Sequence, residues 1–246
     1  MKPTTFLPLF ALVLQALSSP APARVQERNT PSATKPVATV TSGFTGIPPT
    51  ALPTNCANIV LTGATDNDII NGICKDFTLI FARGTTENGN IGDIVGPPFV
   101  AALTSMLGSS RVAVQGVNNY PADIAGFLAG GSATGSQDMA ELIAQTMQQC
   151  PHTKLCVGGY SQGAQVAHNA ANMITQAQTD FINSVVLYGD PDDGEAFGEV
   201  PASKVSTDCH LGDDICLHGD LILPPHLDYC LDVTQEAAFA VQKSGL

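Results

Sequence analysis

Short, uninterrupted apolar runs recur along the chain, and stretches with helical periodicity separate them. Four of these runs are too short for helices and lack polar alternation, so they predict strands that are buried on both faces. They span Phe77–Ala82, Val112–Val117, Lys154–Val157 and Ser184–Tyr188.

The stretches between the runs predict helices. The clearest helix covers Ser136–Gln149, with Ser136 or Asp138 near its cap, because four apolar residues fall on one face. Those residues are Met139, Leu142, Ile143 and Met147. Further helices are predicted at Pro97–Leu107, at Gln162–Ile174 and around Ala237–Val241. Buried strands that alternate with helices indicate an α/β fold, a three-layer α/β/α sandwich with a mostly parallel central sheet.

The beginning of the chain follows neither pattern. A positive end, the apolar stretch Phe6–Leu17 and small residues up to Ser18 predict a signal peptide over residues 1–18, so the protein is expected to be secreted. Residues 19–55 are rich in Pro, Thr, Ala and Ser and predict a disordered linker or propeptide. The ordered domain is therefore expected to span residues 56–246.

The charge of the chain narrows the range of partners. Its formal net charge is −12, with only ten Lys and Arg residues and no basic cluster. Nucleic acids and anionic membrane surfaces both require basic residues, so neither is an expected partner. A neutral substrate or an uncharged polymer surface fits this composition better.

Seven cysteines follow the leader, at positions 56, 74, 150, 156, 209, 216 and 230. Most of them are expected to pair in an oxidising compartment, although the pattern alone does not fix the pairing. There is no C-x-x-C and the five histidines are scattered, so we expect no metal and no cofactor.

One serine stands between two glycines in the stretch VGGYSQGA. Gly159, Ser161 and Gly163 form a G-x-S-x-G pattern between a predicted strand and a predicted helix. This is the arrangement of a nucleophile elbow, a turn so sharp that side chains at the flanking positions would collide with backbone. The alternative is a glycine-rich turn that contains an incidental serine. The strand before it and the helix after it favour the elbow.

A serine nucleophile requires a histidine base, which comes after the serine in this type of sheet. His226 is favoured because two prolines stiffen the approach to it and apolar neighbours exclude water. The other histidines after Ser161 are His168, His210 and His218. His168 should point away from the elbow along its helix, and the remaining two flank a short loop bounded by cysteines.

The histidine in turn requires an acid to orient it. Asp213 and Asp214 lie between Cys209 and Cys216, and a bridge between these cysteines would fix a carboxylate in a small ring. A second group of acids follows a predicted strand and is a weaker alternative. It consists of Asp190, Asp192 and Asp193. For the oxyanion, backbone donors are expected from Gln162 and from Thr85, whose hydroxyl could also donate.

Several separated stretches resemble the cutinases, which are secreted serine esterases of the α/β-hydrolase type. They are LIFARGTTENGNIG (79–92), TKLCVGGYSQGAQ (153–165), CHLGDDIC (209–216) and LILPPHLDY (221–229). The resemblance implies a catalytic triad of Ser161, Asp213 and His226, with oxyanion donors at Thr85 and Gln162.

The resemblance also implies structural features around the site. It implies disulfides Cys74–Cys150 and Cys209–Cys216, and a lip formed by Leu221 and Leu223 beside an active site without a large lid. Three cysteines have no counterpart in the basic pattern. Of these, Cys156 is expected to be a buried free thiol, which leaves Cys56 and Cys230 to form a third bridge.

The predicted function is that of a secreted, monomeric carboxylic ester hydrolase that acts on cutin-type polyesters and small acyl esters. An acetylxylan esterase shares the fold and the elbow, but the apolar LIL segment before Pro224 favours an acyl chain or a waxy surface. A non-catalytic secreted binder or elicitor on the same scaffold is the alternative from another class, and the complete triad argues against it.

Overall fold

Five parallel strands form one sheet in the computed structural model, which describes residues 64–246. The strands are β1 (Phe77–Ala82), β2 (Val112–Gly116), β3 (Lys154–Tyr160), β4 (Ile182–Tyr188) and β5 (Val205–Asp208). Their order across the sheet is β2-β1-β3-β4-β5. The strand before the G-x-S-x-G turn is therefore the central one, with two strands on each side.

Six α-helices lie among the described residues. They are α1 (Gly96–Leu107), α2 (Ile124–Leu128), α3 (Ala133–Gln149), α4 (Gln162–Ala171), α5 (Gln176–Phe181) and α6 (Val233–Ser244). The helices α1 and α6 pack together on one face of the sheet, and α3 and α4 pack on the other. This confirms the predicted three-layer α/β/α sandwich. No helix in residues 64–246 is long and apolar enough to cross a membrane.

The alternation of side chains along β1 explains why five of its six residues are apolar. Phe77 and Phe81 belong to the core on the α1/α6 side, whereas Ile80 and Ala82 belong to the core on the α3/α4 side. Because both faces of a parallel sheet are covered, both favour apolar residues, and the buried hydroxyl of Thr78 lies 2.8 Å from that of Thr153. The continuous run was therefore the correct signal for a strand.

Several element boundaries differ from the prediction. The cap of α3 is Ser132, whose side chain accepts from Gly135 N, and neither Ser136 nor Asp138 caps the helix. The apolar stripe begins only at Met139, so it did not mark the first turn. The strand β5 was not predicted, because it is only half-buried and carries no apolar run. The short helices α2 and α5 were not predicted either.

Two disulfides join described residues, Cys74–Cys150 and Cys209–Cys216, as the resemblance implied. Cys156 is a free thiol with no exposed surface, as predicted. The Cys56–Cys230 bridge stays a prediction, since Cys56 lies outside the described residues. The signal peptide and the linker lie outside them too.

Candidate active site

The turn after β3 holds the backbone of Ser161 in a conformation that residues with a side chain rarely adopt. Its φ is 55° and its ψ is −124°, and its N–H donates to Tyr188 O on β4 at 2.9 Å. A Cβ at Gly159 would collide with the carbonyl oxygen of Gly163, and a Cβ at Gly163 would collide with that of Ala82. The predicted elbow is therefore present, and close backbone packing explains both glycines.

The side chain of Asp213 is buried between the end of β5 and a short turn over Ile215–Leu217. Its Oδ1 accepts from Ile215 N at 3.0 Å. Its Oδ2 accepts from the Tyr229 hydroxyl at 2.6 Å and lies 2.8 Å from His226 Nδ1. The disulfide Cys209–Cys216 encloses this loop. Asp213, rather than its neighbour Asp214, is thus the acid that meets the histidine.

His226 lies in a turn over Pro224–Leu227, where two contacts fix its position. Its backbone carbonyl accepts from the Tyr160 hydroxyl at 2.8 Å, and its ring stacks on the Tyr160 ring with centroids 5.2 Å apart. Because an ionised Asp213 can only accept, Nδ1 of His226 carries the proton of this hydrogen bond. The neutral imidazole then presents the lone pair of Nε2.

Nε2 of His226 is buried and has no hydrogen-bond partner among the described residues. Ser161 and His226 line the same pocket, which has a volume of about 620 Å³. The structure thus brings the two residues to one cavity without a hydrogen bond between Nε2 and the serine hydroxyl. Such bonds are often long before substrate binds.

Thr85 also lines this pocket, and the buried side chain of Gln162 contacts it. The Gln162 side-chain amide donates to Asp123 O at 2.7 Å and to Thr85 Oγ1 at 3.0 Å. The bond to the Asp123 carbonyl requires the NH₂ group at that position, so Thr85 Oγ1 is an acceptor here. The hydroxyl proton of Thr85 then remains available to a negative oxygen in the pocket.

Glu87 is a residue of the site that the sequence analysis did not identify. Its carboxylate accepts from three backbone N–H groups, those of Gly84 at 2.6 Å, Ile94 at 2.7 Å and Asp93 at 2.8 Å. Burial raises the pKa of Glu87, although these three bonds favour the charged form. The carboxylate ties the loop that carries Thr85 to the loop before α1. Its position directly after Thr85-Thr86 was the available signal.

The other histidines and acids that were considered for the triad lie outside the pocket. His168 and Asp190 form their own buried pair, with Nε2 and Oδ2 2.9 Å apart, so Asp190 is not a solvated turn residue. His210 pairs with Asp232, and His218 Nδ1 lies 2.6 Å from Pro191 O. None of them lines the pocket with Ser161.

One group of described residues brings possible metal ligands within 4.8 Å of one another, namely Asp208, His210 and Asp232. Within it, His210 Nε2 and Asp232 Oδ2 lie 2.8 Å apart. The group lies beside the loop of the acid and outside the pocket, so it supplies no ligand next to Ser161.

Exposed apolar side chains surround the pocket. Ile124 and Leu128 of α2 line it, as do Ile222 and Leu227. All four are more than 40% exposed. Leu221 and Leu223 are exposed too but do not line the pocket, so their place in the lip stays a prediction.

The parallel sheet, the strained serine between β3 and α4 and the buried Asp–His pair define an α/β hydrolase of the serine esterase class. Comparison with known proteins identifies the particular family. The cutinase family model matches residues 73–244, and the chain belongs to the cutinase family.

Individual relatives agree with this assignment. A cutinase of Botryotinia fuckeliana is 52% identical over 173 residues, which are 70% of this chain and 85% of that protein. The solved structure of a Trichoderma reesei cutinase in complex with a phosphonate inhibitor is 46% identical. It covers 73% of this chain and 80% of that chain, with a TM-score of 0.69. An acetyl xylan esterase structure with a TM-score of 0.58 is 23% identical, covers 70% of this chain and 100% of that chain, and shares the fold alone.

Proposed function

We propose that this cutinase-type serine ester hydrolase works through an acyl-enzyme formed on Ser161. The observation that carries the proposal is the 2.8 Å contact of His226 Nδ1 with Asp213 Oδ2, which leaves Nε2 without a partner among the described residues. Asp213 accepts the hydrogen bond of the Nδ1 proton, and Nε2 belongs to a side chain that lines the same pocket as the serine. Substrate binding has then only to bring Nε2 and the serine hydroxyl into hydrogen-bond contact.

The reaction follows from these positions. His226 Nε2 takes the proton of Ser161 as the hydroxyl oxygen attacks the ester carbonyl, and Asp213 stabilises the imidazolium that forms. The ester C–O bond breaks, and the alcohol leaves with the proton from Nε2. Water then attacks the acyl group by the same route and releases the carboxylic acid and the free serine.

Two groups are suited to stabilise the oxyanion. Gln162 is the first residue of α4, so its backbone N–H is among those that a helix leaves unpaired at its start. The Thr85 hydroxyl is held as an acceptor by the Gln162 side chain and can donate its own proton into the pocket. Preorganised donors of this kind commonly contribute 10²–10³ in rate each.

The substrate class is inferred from the rim of the pocket. Its exposed apolar side chains on α2 and on the segment around His226 match an acyl chain or the surface of cutin or another polyester. The net charge of −12 also favours an uncharged partner over nucleic acid or an anionic membrane.

We propose that the protein acts as a secreted monomer. The leader pattern and the two disulfides of the described residues support an oxidising, extracellular location.

Covalent labelling with a fluorophosphonate tests the catalytic proposal. Wild-type protein should be labelled and Ser161→Ala should not be. Absent labelling of the wild type would favour a non-catalytic binder instead. An acyl-length series of p-nitrophenyl esters then tests the substrate class, since hydrolysis of butyryl and longer esters supports a cutinase. A rate confined to acetyl esters would favour the acetylxylan esterase alternative.

A further inference from the structure

The imidazole of His210 contacts three parts of the protein that surround the Asp213–His226 pair. Its Nδ1 lies 2.9 Å from Pro225 O, and its Nε2 lies 2.8 Å from Asp232 Oδ2. Its ring stacks on Tyr229, with centroids 4.1 Å apart and planes inclined by 28°. The ring is half-buried and belongs to neither face of the sheet core.

These contacts connect the two loops of the site. His210 lies inside the disulfide-closed loop, where its carbonyl accepts from Asp213 N at 3.0 Å. Pro225 is the residue directly before His226. One side chain therefore joins the loop that carries the acid to the segment that carries the base, through a route that does not include the Asp213–His226 hydrogen bond.

We propose that His210 is a positioning residue, which holds the Pro225–His226 segment at the distance from Asp213 that catalysis requires. The inference rests on the proposed function. The bond to Pro225 O is the contact that does the positioning, since a shift of that carbonyl moves the next residue with it. Misplacement of a catalytic group by about 1 Å can lower the rate roughly 10²-fold.

The charges around His210 make this hold dependent on pH. Burial opposes its protonation, but the hydrogen bond with Asp232 and the charge of Asp208 outweigh burial and raise the pKa of His210. Asp208 faces the ring from β5 and Asp232 faces it from the start of α6, while Glu236 of α6 acts on Asp208. The protonated ring donates to Pro225 O and to Asp232 at the same time.

Loss of the proton removes one of these two bonds. The remaining proton stays on Nε2, because a bond to a charged carboxylate is stronger than a bond to a neutral carbonyl. The Nδ1 lone pair then faces the lone pairs of Pro225 O. The hydrogen bond to Pro225 O is therefore fully present below the raised pKa of His210 and is lost as the pH rises through it.

Two amide variants of His210 distinguish a positioning role from a merely structural one. The amide nitrogen of His210→Asn takes the place of Nδ1 and can still donate to Pro225 O, whereas that of His210→Gln takes the place of Nε2. We expect His210→Gln to lower kcat about 10-fold to 10²-fold with KM unchanged, and His210→Asn to retain most of the activity. His152→Asn changes an exposed histidine away from the site and serves as the control. Equal losses in both His210 variants, in proportion to their loss of unfolding free energy, would overturn the proposal.

The pH profile gives a second readout that a merely structural role would not move. Asp232→Asn removes the charge that favours protonated His210, so the alkaline limb of kcat should shift to lower pH. An unmoved limb would contradict the proposal. Labelling with fluorophosphonate keeps the two hypotheses apart. An unlabelled wild type refutes the proposed function, whereas a labelled wild type with an unimpaired His210→Gln refutes only the role of His210.

Discussion

The hydroxyl of Tyr229 donates to Asp213 Oδ2 at 2.6 Å, the same oxygen that lies 2.8 Å from His226 Nδ1. The hydroxyl also accepts from His210 N at 3.0 Å. Burial raises the pKa of Tyr229 far above its usual range, and the hydrogen bond to Asp213 raises it further, so the group stays a donor. The acid of the candidate triad is thus held by a phenol as well as by backbone.

Tyr229→Phe should therefore destabilise the protein and reduce its activity. The carboxylate loses a hydrogen bond and His210 N loses its acceptor, for which we expect a loss of about 1.5–3 kcal/mol in unfolding free energy at pH 7. The value of kcat should fall as well, because Asp213 is held less firmly. Urea unfolding and ester hydrolysis measure the two effects.

Tyr188→Phe is the matched control for this variant. The Tyr188 hydroxyl is buried and has no hydrogen-bond partner in residues 64–246, so its removal should leave stability unchanged or increase it. If both Tyr→Phe variants lost the same stability, the bond to Asp213 would not be the cause.

The backbone strain at Ser161 predicts an increase in stability when glycine replaces the residue. Its φ of 55° and ψ of −124° are unfavourable for any residue with a Cβ, at a typical cost of about 1–3 kcal/mol. Glycine loses part of that gain through the entropy of the unfolded chain, about 0.4–1 kcal/mol. Ser161→Gly should thus be about 1 kcal/mol more stable than Ser161→Ala, although both are inactive. Denaturant midpoints that do not differ would argue against strain at the elbow.

The Thr85 hydroxyl should contribute to kcat as one oxyanion donor does. Thr85→Val keeps the branched shape and removes the proton donor, so kcat should fall roughly 10²–10³-fold with little change in KM. Thr85→Ser restores the hydroxyl and should recover most of the rate. A valine variant with full activity would leave the oxyanion to backbone N–H groups alone.

Activity should decline in mild acid. Nε2 of His226 can take the proton of Ser161 only while it carries no proton itself, and acid favours its protonation. The value of kcat/KM, followed from pH 8 to pH 4 on a neutral ester, should therefore fall. A flat profile over this range would be incompatible with His226 as the base.

Asp208 should limit stability at neutral pH. Burial raises its pKa to about 6, with a further contribution from the charge of Asp232. Because the native state binds this proton more tightly than the unfolded state does, stability falls as the pH rises from about 4 to 6. Asp208→Asn should increase the unfolding free energy at pH 7 by about 1 kcal/mol after allowance for solvent screening. The gain should vanish near pH 4, and a gain of the same size at both pH values would implicate packing instead.

The sequence predicted what depends on local pattern. Apolar runs located four strands. The G-x-S-x-G pattern located the elbow, because the close approach of Gly163 to Ala82 requires a glycine at that position. The strand β5 left no such mark, since each of its residues is half-buried at the edge of the sheet. Contacts between distant segments, such as that of Tyr229 with Asp213, could not be predicted. They depend on how the loops after β5 fold back over each other.

The location of β3 at the middle of the sheet has a consequence for the order in which parts of the site should open on heating. The serine is anchored to the strand with two neighbours on each side, whereas Asp213 and His226 lie on short turns beyond the last strand. Segments outside the sheet open at lower free energy than the strands of a core. We therefore expect thermal inactivation to begin with the separation of Asp213 and His226 from Ser161 while the central strands are still intact.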